Sequence, residues 1–291
     1  MLKFAILLRW VLERVSVFLN IVVALHAEAA PLIEFYKLKK ISDTILPFPI
    51  FVNREKTIHL IVSGVGKIKS AIATTFIFLW ANSPKYSCFL NVGIAGATQF
   101  AEGEYVLANK ITEYSTGRSK YPFICVLPND IHQAELFTHD GAQDSYPLKG
   151  MVDMEGSGFF QAASQFVSHE HIHVVKVISD NHVEAQQKLD EKKVKELIRE
   201  KMLSVTQMVN YLMQLAMREK KINQSSEQVI HFQKHWHFSH AQSIQLQDNL
   251  RRWCVLNSDE DPFEFCRDEK NAKQVIKKIA QKLDEYANSL C

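Results

Sequence analysis

An α/β fold, a sheet carrying helices on both faces, is predicted by three observations. Short β-branched apolar runs alternate along the chain with stretches of helical periodicity. Several of these runs are apolar at every position, as in strands covered on both faces, rather than at alternate positions. Three of them close on glycine or acidic turns, at Gly64 to Gly66, Gly93 to Gly96 and Ser179 to Asp180. In open α/β sheets ligands bind outside the carboxyl ends of the strands, so the chemistry is expected where these turns meet.

The elements follow in order. Residues 1–18, within "MLKFAILLRWVLERVSVFLN", are expected to form a helical extension: Lys3, Arg9, Glu13 and Arg14 interrupt the apolar residues. No uninterrupted span there approaches the roughly 20 residues a bilayer needs, so no integral membrane span is expected. An amphipathic helix on a membrane surface is the alternative to a packed one. "NIVVAL" (20–25) reads as a buried strand, and "TIHLIVSGVG" (57–66) as a second that breaks at paired glycines. "KIKSAIATTFIFLWAN" (67–82) has helical spacing, "YSCFLNVGIAGA" (86–97) is a strand ending in glycines, and "GEYVLANKITEYS" (103–115) is a strand that turns polar. "GSGFFQAASQFVSHE" (156–170) reads as helix and "HIHVVKVISD" (171–180) as strand. From about residue 188 the chain becomes helical and charged through 221, and after the polar "INQSSEQ" two more helices are expected near 239–253 and 268–288. The expected domains are therefore the extension 1–18, a catalytic domain 19–221 and a helical appendage 222–291.

Composition narrows the classes of function. Of the 291 residues, 47% are hydrophobic and 23% charged, the balance of a globular protein with a real core. A formal charge of +2, with 34 basic residues interleaved among 32 acidic ones, leaves no electrostatic footprint for nucleic acid. The five cysteines, Cys88, Cys125, Cys254, Cys266 and Cys291, lie far apart and form no C-x-x-C pair, which suggests neither a disulfide framework nor a zinc knuckle and fits a reducing cytoplasm.

Four stretches in one order, "SGVGKIKSAIAT" (63–74), "LNVGIAGATQFAEGEYVLANKI" (90–111), "VDMEGSGFFQAA" (152–163) and "KVISDN" (176–181), resemble the nucleoside phosphorylase and nucleosidase superfamily, over roughly residues 19–220. That superfamily includes purine nucleoside phosphorylases and methylthioadenosine/S-adenosylhomocysteine nucleosidases. The resemblance implies a three-layer fold with a mixed central sheet flanked by helices, here with a helical C-terminal extension. It also implies cleavage of an N-glycosidic bond through an oxocarbenium-like sugar, which needs a grip on the sugar, a proton for the departing base and a nucleophile on the opposite side.

The family's Met-Glu pair matches Met154 and Glu155, implying that Met154 packs on the sugar and Glu155 accepts hydrogen bonds from ribose hydroxyls. A carboxylate can take two such donors and stabilise positive charge on the sugar. The plain alternative is a solvated acid at a helix start, and Asp153 beside it reads as an N-cap. The family's Ser-Asp turn matches Ser179 and Asp180, implying that Asp180 gives a proton or hydrogen bond to the leaving purine; a strand-end cap is the alternative. In "ALHAEAAPLI" (24–33), Glu28 falls where the nucleosidase branch keeps a carboxylate that activates water, although a surface glutamate opening a helix before Pro31 fits the same residues. Gly64, Gly66, Gly93, Ala95 and Gly96 are implied to border the nucleophile pocket, where glycine lets backbone amides approach closely. Ile94 stands where many members have a serine that helps hold phosphate or water, which weakens the case for phosphorolysis.

The histidines of "HEHIH" (169–173) and "HWHFSH" (235–240) have no acidic or cysteine partner at zinc spacing, so no metal and no cofactor are expected. The expectation is an enzyme that cleaves a purine-type nucleoside by hydrolysis or phosphorolysis, with a small-molecule nucleoside, and phosphate in the second case, as partners. As members of the superfamily commonly are, it is expected to be a homo-oligomer. The alternative is a nucleoside-binding protein without efficient turnover whose helical tail docks a partner.

Overall fold

The computed structural model describes residues 17–43, 45–124, 131–143, 146–180, 190–256 and 260–289, with the side chains of 221–227 and 289 excepted. The extension expected over 1–18 lies, up to residue 16, outside the described residues, as do Asn181, Cys125 and Cys291. The chain divides into two compact units, Met1–Ala216 and Met217–Cys291.

In the first unit ten strands form a mixed sheet. Strand β1 (Leu19–Val23) lies between β4 (Ile58–Val62) and β5 (Cys88–Gly96), parallel to both, with Ile21 opposite Leu60 and Leu90. β5 in turn runs parallel to β10 (Ile172–Asp180). The short strands β2 (Lys39–Lys40) and β3 (Ile50–Val52) extend the sheet beyond β4 in antiparallel steps. On the other side β10 pairs antiparallel with β6 (Tyr105–Glu113), which carries β7 (Arg118–Lys120) and runs parallel to β8 (His132–Thr138). β9 (Met151–Asp153) joins β8 and also touches the end of β5, where Gly96 faces Val152, so that β5, β10, β6, β8 and β9 close into a ring.

The run LNIVV of β1 is buried at every position because both faces of the sheet are covered. Leu19, Ile21 and Val23 pack into one apolar layer with Leu32 of helix α1 (His26–Phe35), Leu197 of α4 (Glu191–Glu200), and Val205 and Leu212 of α5 (Met202–Gln233). Val22 points the other way, into a layer with Ala73 and Ile77 of α2 (Lys67–Trp80) and Phe159 and Phe160 of α3 (Gly156–Ala163). The three-layer mixed fold expected from the sequence is the one observed. α2 and α3 meet at their starts, where a Cβ on Gly158 would stand 2.0 Å from the carbonyl oxygen of Lys67; only glycine allows that approach.

Some boundaries differ from the sequence reading. The helix expected over 156–170 ends at Ala163, and a 3-10 turn, His169–His171, leads into β10. The helical stretch expected through 221 is two helices, broken at Lys201. The polar "INQSSEQ" does not end α5, which runs on to Gln233, because Asn, Gln and Ser only weaken a helix and α5 holds neither glycine nor proline. β2, β3, β7, β8 and β9 were not among the expected strands.

The second unit is helical. α6 (His240–Leu256) and α8 (Ala272–Ser289) pack through Leu246, Leu250, Trp253, Val275, Ile279 and Leu283, with Phe232 of α5 in the same core. Between them α7 (Pro262–Cys266) starts with Pro262 at its first turn and the Asp261 side chain accepting from the Phe263 amide, a regular N-terminal cap. Trp253 Nε1 donates to the Glu260 carbonyl (2.9 Å) and Trp236 Nε1 to the Glu269 carbonyl (2.7 Å), so the buried indole of Trp253 and the half-buried one of Trp236 both have acceptors. No described helix is long and apolar enough to cross a membrane.

Candidate active site

Because β1, β4, β5 and β10 are parallel, their carboxyl ends lie along one edge of the sheet. The loops that leave this edge carry the residues singled out from the sequence: Glu28 in the first turn of α1, Gly64 and Gly66 after β4, Gly93 to Gly96 at the end of β5, and Ser179 and Asp180 at the end of β10. β9 brings Met154 and Glu155 in from the side.

A buried lysine organises the centre. Lys176, in the middle of β10, is 1% exposed, and its Nζ lies 2.8 Å from Asp153 Oδ2, itself buried. Burial alone would drive off the Lys176 proton; Asp153, Glu155 and Glu28 more than offset this and hold the ammonium above its ordinary range. Asp153 is fully occupied: it also accepts from Thr138 Oγ1 (2.8 Å) and from the Gly156 amide (2.8 Å). The N-cap position expected for Asp153 is held by Glu155 instead; Asp153 still accepts from the first helical amide, and it is the counter-ion to the lysine.

Glu28 is 2% exposed, which removes the surface-glutamate alternative. Its Oε2 accepts from the amides of Ala24 and Leu25 (both 2.9 Å), and its Oε1 from the amide of Ile94 (3.0 Å). Burial pushes the carboxyl up from the ordinary glutamate value, while Lys176 and the three amides pull it back. A Cβ on Gly93 would stand 2.8 Å from Glu28 Oε1 and 3.2 Å from Lys176 Nζ, so the carboxylate and the ammonium meet over the bare face of Gly93.

Glu155 is also buried and opens α3 as its N-cap residue, and its Oε1 accepts from the amide of Gly66 (2.8 Å), the N-cap of α2. It thus stands at two helix N-termini, where the backbone dipoles favour a negative charge. Burial nevertheless pushes its carboxyl up to about 7; Lys176 and the Gly66 amide oppose the rise, and Asp153 and Glu28 add to it. The charges of Glu28, Glu155 and Lys176 act on one another, so a proton gained by one of the two glutamates changes the basicity of the other.

The other end is built differently. Ser179 is buried and its hydroxyl reaches the Ala95 carbonyl (3.3 Å) and Asp180 Oδ1. Asp180, partly exposed, accepts from the Tyr146 hydroxyl on Oδ2. The Tyr146 ring lies against Gly96, where a Cβ would come within 2.2 Å of its Cζ. Asp180 does not join the lysine cluster; its partners are hydroxyls.

A cavity of about 600 Å³ borders the Glu28 loop, lined by Leu25, Phe48, Val62, Gly64 and Ile94 among others. It reaches the cluster through Gly64 and Ile94 and does not extend to Glu155 or Asp180. Met154 is partly exposed next to Glu155, and Ala95 is buried, offering its carbonyl to Ser179.

The structure therefore brings Glu28, Glu155, Gly66 and Gly93 together and sets Asp180, Ser179, Ala95 and Gly96 at a second focus. Sequence reasoning missed Lys176 and Tyr146. Lys176 does leave a signal, a single cation inside the apolar run HVVKVIS, since lysine is almost never fully buried unless paired. His171 and His173 are buried on and beside β10, and no group of three or more metal-ligating side chains occurs among the described residues.

This fold is the one found in solved structures of nucleosidases. Among solved structures it is shared by an MTA/SAH nucleosidase (TM-score 0.57, 18% identity, 68% of this chain and 97% of that one covered). It is shared as well by the 5′-methylthioadenosine nucleosidase of Arabidopsis thaliana (TM-score 0.58, 16% identity, 68% and 97%). A mutant of the futalosine hydrolase of Helicobacter pylori has it too (TM-score 0.50, 16% identity, 67% and 100%). No protein-family model matches the sequence, and no curated protein matches it.

Proposed function

We propose that the chain hydrolyses the N-glycosidic bond of a purine-type nucleoside. The observation that carries this reading is the buried set of Glu28, Glu155 and Lys176 at the strand ends, in the fold shared by nucleosidases. Burying three carboxylates around one ammonium is costly for stability, and such groups collect where chemistry needs them.

In this reading Glu155 accepts hydrogen bonds from ribose hydroxyls and stabilises the positive charge that develops on the sugar as the bond to the base lengthens. Glu28 is the base. Burial makes its carboxylate more basic than an exposed one, and the three amides fix its direction, so it takes a proton from water as the water oxygen bonds to C1′. The electrons of the breaking C–N bond leave with the base, which takes up a proton with Asp180 as donor or hydrogen-bond partner. Lys176, through its pairing with Asp153, positions Glu28 and Glu155 and limits their mutual repulsion. Hydrolysis is preferred to phosphorolysis because the Glu28 carboxylate bonded to the Ile94 amide would repel a phosphate, and isoleucine at 94 offers no hydroxyl to hold one. The cavity beside Leu25 and Phe48 would take the 5′ substituent.

The test is base release from a panel of nucleosides, with and without phosphate. Release independent of phosphate is expected, with kcat/KM reduced about 100- to 1000-fold by Glu155→Gln and by Glu28→Gln, and by at least a comparable factor for Asp180→Asn. Nucleoside binding with no release in the unmodified chain would replace the enzyme by a binding protein, and release that requires phosphate would overturn hydrolysis.

A further inference from the structure

The base end of the site holds a feature that the reaction above does not use. Asp180 has a donor on each carboxylate oxygen: Ser179 Oγ on Oδ1 and the Tyr146 hydroxyl on Oδ2. The serine belongs to the same strand. The tyrosine does not; it reaches Asp180 from the segment that leads into β9. Its ring is placed by Gly96, the residue opposite Asp180 in the β5–β10 register, where a Cβ would come within 2.2 Å of ring carbon Cζ and 2.6 Å of the hydroxyl oxygen. The phenol thus lies over Gly96 and against the Asp180 carboxylate that a base must reach, and its O–H is the donor there.

We infer that Tyr146 is a specificity-determining gate for the base: its phenol holds the Asp180 oxygen that a base must meet, and a base enters only by displacing the tyrosine hydroxyl from Oδ2. This rests on the reading of Asp180 as the group that meets the base. Two consequences follow from the geometry. A ligand must itself offer a donor, an N–H, to replace the lost O–H, because otherwise the Asp180 oxygen gives up a charged hydrogen bond with no return. The gate therefore favours bases with an exocyclic amine or a protonated ring nitrogen over bases that present only acceptors at that edge. Breaking the Tyr146 bond also weakens binding of every base, and it does so equally in the ground state and the transition state.

The experiment is calorimetric titration of the full chain with free adenine, comparing the unmodified protein with Tyr146→Phe and Asp180→Asn. The phenylalanine variant keeps the ring over Gly96 and removes only the hydroxyl; its thermal melting checks that the fold is retained. Adenine is expected to bind Tyr146→Phe about tenfold more tightly than the unmodified chain and Asp180→Asn more weakly. In base release, Tyr146→Phe is expected to lower KM and raise kcat/KM by that same factor. Equal or weaker adenine binding to Tyr146→Phe overturns the gate, as does failure of both proteins to bind adenine at millimolar concentration. The two readings separate cleanly: base release by the unmodified chain with no tightening in Tyr146→Phe leaves the enzyme standing and removes the gate. Tightening without any base release keeps the gate on a pocket that only binds.

Discussion

The two ends of the site hold their carboxylates in opposite ways. At the lysine end Glu28, Glu155 and Asp153 are buried around the Lys176 ammonium, with backbone amides and the Thr138 hydroxyl supplying the other donors. At the other end Asp180 is partly exposed, and its side-chain partners are two hydroxyls. The contrast fits what the proposed reaction would ask of each end. A group that must keep or shift a charge during reaction gains from a dry, fixed surrounding in which nearby charges act strongly. A group that must exchange partners each time a base arrives or leaves is better served by neutral donors that are cheap to displace.

The sharpest way to break the comparison is to remove the cation. Lys176→Met leaves three buried acids without their counter-ion, and a loss of about 3–5 kcal/mol is expected, read as a lower urea midpoint at neutral pH. Part of that loss should return as pH falls, because without the ammonium the Glu28 and Glu155 carboxyls rise further and take up protons in place of the lost charge. Tyr146→Phe, at the other end, is expected to change stability by at most about 1 kcal/mol, because Asp180 can turn to water. Equal losses from the two substitutions would mean that the ends do not differ in the way described.

Acidity gives the next effect. The Glu155 carboxyl titrates near 7 in the fold against 4.5 for an ordinary glutamate, so between those values the folded chain binds more protons than the unfolded one. Its contribution to stability is therefore lost as pH rises from 4.5 to 7. His59 and His173 act the other way: burial lowers each to about 4 from 6.5, so their contribution grows as pH rises through that window. The two trends oppose each other in the unmodified chain, and a single substitution separates them. Glu155→Gln is expected to have little effect on the melting temperature at pH 4.5 and to raise it by several degrees at pH 8, the gain developing between those values as the charge it removes appears. A stabilised but inactive Glu155→Gln is the signature of a carboxylate kept for function at a cost to the fold.

The smallest effect concerns the amide that Glu155 accepts from. Gly66 has φ of +110° and nothing within 4 Å of where a Cβ would lie, so the cost of Gly66→Ala is one of backbone conformation. About 1–2 kcal/mol is expected, visible in thermal melting, with nucleoside KM raised as the Glu155 carboxylate loses its aim.

These contrasts also show what was legible in the sequence. β1, β4, β5 and β10 were readable because strands buried on both faces are written as unbroken apolar runs, and the turns that end them carry the glycines. β8 alternates polar and buried residues, and β9 is three residues long, so neither stands out from its neighbours. Glu28, Glu155 and Asp180 could be picked out by type and spacing within motifs. That Glu28 and Glu155 share a cation could not, because Lys176 is 148 residues beyond Glu28 and its relation to both depends on the β5–β10 register. Tyr146 was hidden for the same reason: the contact exists because Gly96, on a different strand, has no side chain.

The ring of strands has a consequence for the order in which this site comes into being. β10 is the last of its five strands along the chain, and it is the one that carries Lys176. During synthesis Glu28, Asp153 and Glu155 all leave the ribosome before their counter-ion. Until β10 docks, between β5 and β6, the acids lack their counter-ion and the ring β6–β8–β9–β5 stays open. Closure of the ring and neutralisation of the site are then a single event, so a chain that has not finished folding has no half-built active centre to expose.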